Sequence, residues 1–111
     1  MLYIDDYNNI KLTRGNTAYL TLEIEDDSGE PYDYSEDTVT FTVKRNTVTK
    51  EVILQKTFEG DSIKIEPSDT EKLDYELFTY DVKLVTPLGD VFTVIDPSSF
   101  MLTEEVNFNA D

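Results

Sequence analysis

The stretch Thr17-Ala18-Tyr19-Leu20-Thr21-Leu22-Glu23-Ile24-Glu25 alternates apolar and polar residues without a break. In an extended strand successive side chains leave on opposite faces, so a period of two separates Ala18, Leu20, Leu22 and Ile24 from Tyr19, Thr21, Glu23 and Glu25. The reading is a strand with one dry face and one wet face. Residues 38–45 repeat it, with Val39, Phe41 and Val43 set against Thr38, Thr40, Thr42 and Lys44. Threonine is both β-branched and polar, which suits the wet face of a sheet.

Working outward, Ile10-Lys11-Leu12-Thr13 reads as a short first strand. Residues 51–58 and 62–66 read as strands joined by Glu59-Gly60-Asp61. Residues 77–86 and 90–95 read as a hairpin across Pro87-Leu88-Gly89. A last strand covers 100–106, after a break at Asp96-Pro97-Ser98-Ser99. One segment departs from the period of two. In residues 67–73, Ser68 and Glu71 have the spacing of a capping box, which predicts a helical turn near 68–73. Turn signals this close together predict an all-β, immunoglobulin-like antiparallel β-sandwich of about seven or eight strands, with a small barrel as the alternative. A chain of 111 residues supports one domain, 1–111, with its core over roughly 10–106.

Charge narrows the functional classes. Nine Lys and Arg against 24 Asp and Glu give a net charge of −15. Phosphate backbones and anionic lipid repel such a chain, so neither nucleic acid nor a membrane is expected as a partner. The sequence has no His and no Cys. That removes Ser-His and Cys-His nucleophiles, disulfides and the common zinc ligand sets. No phosphate-binding glycine loop is present, no cofactor is expected, and the chain reads as a non-enzyme. The N-terminus turns acidic at Asp5-Asp6, unlike a signal peptide, and no apolar run approaches the roughly 20 residues of a membrane span.

The charge is also uneven. Residues 1–40 carry a net −8, residues 41–83 a net −2, and residues 84–111 a net −5 with no base at all. The bases Lys44, Arg45, Lys50 and Lys56 gather around the middle hairpin, so one end of a domain could meet the opposite end of a neighbour. Charges that simply keep strand faces soluble would give the same pattern.

Among candidate sites, the loop Glu25-Asp26-Asp27-Ser28-Gly29-Glu30 offers Asp26, Asp27 and Glu30 as oxygen ligands for Ca²⁺. It lacks the EF-hand spacing, and Asp27-Ser28-Gly29 equally makes an ordinary turn. Seven Tyr and six Phe supply aromatic surface for a protein interface or for stacking on sugars. The interface candidates are the outward Tyr19, Thr21 and Glu23 together with Lys44, Arg45 and Lys50. Two residues have expected structural roles. Gly15 should take a positive φ in the turn Arg14-Gly15-Asn16. Tyr80 should act as a tyrosine corner, its hydroxyl bonded to backbone upstream near Asp69, Thr70 and Leu73.

The order of these segments is itself informative. Leu12-Thr13-Arg14-Gly15-Asn16-Thr17 is followed by Leu20, Leu22 and Ile24, the Asp27-Ser28-Gly29 turn, and Val39-Thr40-Phe41-Thr42-Val43-Lys44. Ile63-Lys64-Ile65-Glu66-Pro67-Ser68-Asp69-Thr70, Phe78-Thr79-Tyr80-Asp81-Val82 and Gly89-Asp90-Val91-Phe92-Thr93-Val94 complete the series before residues 100–106. Over residues 10–108 this resembles the small phage and prophage β-sandwich proteins of Firmicutes, in particular the N-terminal domain of the phage baseplate upper protein. The resemblance implies a virion component of the tail or baseplate, made in the host cytoplasm. It also implies no catalytic residues, and contacts with other phage structural proteins or with copies of itself. A carbohydrate- or Ca²⁺-binding surface module of the same fold is the alternative.

Overall fold

The computed structural model describes residues 2–104. Eight strands and one helical turn follow in order: β1 (Leu2–Ile4), β2 (Ile10–Thr13), β3 (Ala18–Thr21), β4 (Thr38–Lys44), β5 (Leu54–Thr57), β6 (Ser62–Ile65), α1 (Pro67–Thr70), β7 (Leu77–Val85) and β8 (Val91–Thr103). Six strands form one sheet in the order β1-β2-β8-β7-β4-β5, and β3 pairs with β6 in a second sheet. The chain is therefore nearly all β, as its alternation predicts.

Both sheets feed one core. Leu12, Val39, Phe41, Val43, Phe78, Val82, Phe100 and Leu102 come from the large sheet, and Ala18, Leu20, Ile63 and Ile65 from the small one. At its centre Phe41 lies 5.1 Å from Tyr80 and 6.0 Å from Phe100, ring centre to ring centre, and the second pair meets edge to face. Such aromatic pairs add attraction beyond the area they bury.

Several expectations are corrected. The large sheet is mixed: β2 runs parallel to β8, with Ile10 opposite Phe100 and Thr13 opposite Thr103. Parallel pairing of strands far apart in sequence leaves no trace in the local alternation of either. Residues 90–95 and 100–104 do not form two strands, since β8 runs through Asp96-Pro97 without interruption. The register explains how. Tyr80 faces Ser98, Val82 faces Ile95 and Lys83 faces Thr93, so β8 carries an extra residue at each of two irregularities. Proline has no N–H to give a ladder and is tolerated at such bulges. The expected end of the final strand, Val106, lies outside the described residues, as does the end of the predicted core.

The long strand expected over 17–25 shortens to β3. Its burial alternation nevertheless persists, Leu22 being buried and Ile24 packed against the core. The Leu22 amide still bonds the Asp61 carbonyl at 2.8 Å, next to the last β3–β6 pair, and the chain then changes partners, the Ile24 carbonyl accepting from the Tyr32 amide. The helical turn is present, but Ser68 and Glu71 do not cap it. Pro67 occupies the first helical position, so Glu66 becomes the N-cap and its amide donates to Asp69 Oδ2 at 2.7 Å. Proline fixes φ where a helix starts and lacks the N–H that would otherwise be unsatisfied there.

Tyr80 is buried, but its hydroxyl donates to the carbonyl of Asn8, in the turn between β1 and β2, and not to the segment before β7. That corner is held from elsewhere. The Gly15 amide donates to Thr70 Oγ1 at 2.8 Å, and Arg14 Nη1 donates to the Leu73 carbonyl at 3.0 Å. Gly15 has φ +82°, as its turn predicts.

Candidate functional site

The acidic loop is a closed turn. Asp26 Oδ1 accepts from the Ser28 hydroxyl at 2.6 Å, the Ser28 amide at 2.9 Å and the Glu30 amide at 3.0 Å. The Ser28 hydroxyl and these amides hold the Asp26 carboxyl below its ordinary pKa. Asp26 spends its oxygen on the loop's own backbone, with Gly29 at φ +84° completing the turn. Among the described residues no group of three or more potential ligands, Asp27 and Glu30 included, is gathered for a metal.

The interface candidates fall on separate surfaces. Tyr19 and Thr21 face outward on β3, and Glu23 continues the exposed face. Lys64, directly across from Tyr19 on β6, places its ammonium 5.7 Å from the Tyr19 ring centre and 3.3 Å from Glu66. The Glu66 carboxylate, foremost, holds the Lys64 pKa above its ordinary value. Tyr19 shares a shallow depression with Lys56, Thr57, Glu59, Ile63 and Lys64, and none of Lys44, Arg45 and Lys50 lines it.

Those three bases lie at the β4–β5 connection. Asn46 Oδ1 accepts from the Val48 and Thr49 amides at 3.0 and 2.9 Å, which fixes the shape of the loop and turns Val48 outward, 87% exposed. Arg45 points back along the molecule to Glu76 at 2.8 Å, leaving Lys50 exposed. Beside this loop, Thr42, Lys44, Gln55, Thr79, Asp81 and Lys83 line an open polar groove of about 390 Å³ on the outer face of the large sheet. A second open groove, about 500 Å³, lies between Tyr32, Tyr34 and the acids Glu23, Glu25, Asp33 and Asp61. Its tyrosines are committed: the Tyr34 hydroxyl donates to the Leu22 carbonyl and that of Tyr32 to Asp37 Oδ2.

One exposed set of apolar side chains escapes the sequence-based choice. It lies at the far end of the β7–β8 hairpin, where Leu88 is 91% exposed in the turn, Val91 is 59% exposed across from Val85 on the outer face, and Phe92 is 55% exposed on the inner face. Phe92 faces Leu84, a core residue, yet stays open. The hairpin strands have nine and 13 residues, whereas β3 and β6 have four each and cover only part of its inner face. An apolar leucine in the turn Pro87-Leu88-Gly89 is the signal that could have found it. Along residues 91–97 the side of β8 away from β7 has no strand partner among the described residues, because β2 joins only from Phe100 onward. No family model, curated protein or solved structure matches this chain.

Proposed function

We propose that the chain is a non-enzymatic structural or adaptor module of a phage or prophage virion, in the tail or baseplate, that acts through contacts with other structural proteins or with its own copies. The observation that carries this reading is the exposed apolar end of the hairpin, with Val85 and Val91 paired on its outer face, Leu88 in its turn and Phe92 open on its inner face. Apolar side chains left open together at one end of a highly charged protein mark a place for another protein.

The resemblance in segment order supplies the biological setting, and the topology supports its fold. The run β8-β7-β4-β5 follows the G-F-C-C′ order of immunoglobulin-like sandwiches, with β3 beside β6 as B lies beside E. In that reading α1 occupies the E–F connection.

The test is co-production of the tagged chain with the products of its neighbouring genes. Stoichiometric retention of a tail or baseplate protein at low salt is the expected result. Retention of none, or a melting temperature raised by calcium or by a glycan, overturns it in favour of a ligand-binding surface module, since a ligand of the native state must stabilise it.

A further inference from the structure

We infer that copies of this chain associate head to tail, the β7–β8 hairpin end of one seated on the β4–β5 loop of the next. The inference rests on the protein-contact reading above and names the partner for two of its surfaces.

The two surfaces sit at opposite ends of the large sheet. Thr38 at the start of β4 pairs with Val85 beside the hairpin turn, and Lys44 at its end pairs with Thr79. At about 3.3 Å per residue, β4 holds the two ends about 20 Å apart. Each end presents apolar side chains: Leu88, Val91 and Phe92 on the hairpin, Val48 and Val52 on the loop.

Their charges are opposite. Asp90 stands in the hairpin turn, Glu36 and Asp37 lead into the adjacent start of β4, and residues 84–104 contain no base. The loop carries Lys44, Arg45 and Lys50; Arg45 is paired with Glu76 at 2.8 Å and lies 3.9 Å from Glu51, which leaves Lys44 and Lys50 as its unspent positive charge. A chain of net charge −15 has few places where a second copy can approach without repulsion, and this loop is one of them. Pairing the hairpin ends about a two-fold axis would set Asp90 against its own copy, with Lys83, set back along the hairpin across from Thr93, as the base on these two strands. Unlike surfaces that meet head to tail generate rings or filaments, not closed pairs.

Sedimentation equilibrium on the whole chain tests this, using Leu88→Asp at the hairpin and the double variant Val48→Asp, Lys50→Glu at the loop. All three positions are exposed, so both variants should melt as wild type does. At low salt the wild type should exceed 12.8 kDa increasingly with concentration and return to it near ~0.5 M salt. Each variant should associate at least ~10-fold more weakly. Mixed together, the two variants should form a capped one-to-one dimer, because each retains the surface the other has lost. A monomer at every concentration overturns the inference. So does association that neither variant weakens, or a mixture that does not assemble. A monomeric chain that still retains a tail protein leaves the virion reading standing, so the two failures are distinguishable.

Discussion

The Tyr80 hydroxyl, on the fourth residue of β7, donates to the carbonyl of Asn8, 72 residues earlier in the chain. Asn8 itself is left-handed, at φ +65°. A core side chain of the central sheet thus clamps the turn that positions β1 against β2. Tyr80→Phe should keep the ring in the Phe41–Phe100 cluster and lose only this bond, costing about 0.5–1.5 kcal/mol in a denaturant titration. Asn8→Ala should cost about 1–2 kcal/mol from backbone strain, whereas Asn8→Gly should cost little.

Burial, and secondarily the nearby Asp5, push the Tyr80 phenol up to about 12 from its ordinary 10.0. Deprotonation is therefore easier in the unfolded chain. The stabilisation is whole below pH 10 and is lost as the pH rises through about 12. Thermal melts from pH 9 to 12 should show an alkaline drop to which Tyr80 contributes on the order of 2 kcal/mol. The drop should be smaller in Tyr80→Phe, with Tyr32, Tyr34 and Lys64, also raised, supplying the remainder.

The acid limb has the opposite sign. Asp26 and Asp5 have pKa values below the ordinary 3.8, chiefly through the Ser28 hydroxyl and the Asn9 amide respectively. Their contribution is present above that value and fades as pH falls through the folded pKa. Melting temperatures should therefore decline below about pH 4, and the decline should be shallower in Asp26→Asn.

Thr70 is fully buried, and its hydroxyl accepts the Gly15 amide. Thr70→Val preserves shape but leaves that amide unsatisfied, at a cost of about 1–3 kcal/mol. Thr70→Ser should recover most of the loss. Gly15→Ala should be destabilising by about 1–2 kcal/mol because φ +82° is left-handed. Chemical denaturation of the three variants separates the bond from the backbone conformation.

The residues show which parts of this architecture local pattern can carry. Alternation at Ala18, Leu20, Leu22 and at Val39, Phe41, Val43 put the right faces inward because burial imposes a period of two wherever one face is dry. Gly15 announced its turn because few other residues tolerate its φ. Pro97 misled because its effect depends on the edge: with one side of β8 unpaired there, the missing N–H is harmless. Tyr80 was identifiable as an anchor, but its partner was not, since nothing near Asn8 in sequence points to β7. Of the interface candidates, Lys44, Arg45 and Lys50 do gather on one loop, whereas Tyr19 and Thr21 lie on the other sheet. Leu88 and Phe92 went unread because sequence shows that a residue is apolar, not whether the fold has enough second sheet to cover it.

The parallel union of β2 with β8 also sets the order in which the molecule can assemble. β2 finds its place only against residues 100–103, and the Asn9 side chain accepts the Ser99 amide across 90 residues. During synthesis β1 and β2 must wait, without their sheet partner, until nearly all of the described chain has been made. Closing so long a loop costs entropy before any contact compensates it, so refolding should fall in the slow range of about milliseconds to seconds typical of non-local β topologies. Until that closure, the edge of β8 that receives β2 stays open to any other chain at hand, and timing joins affinity in deciding what this protein pairs with.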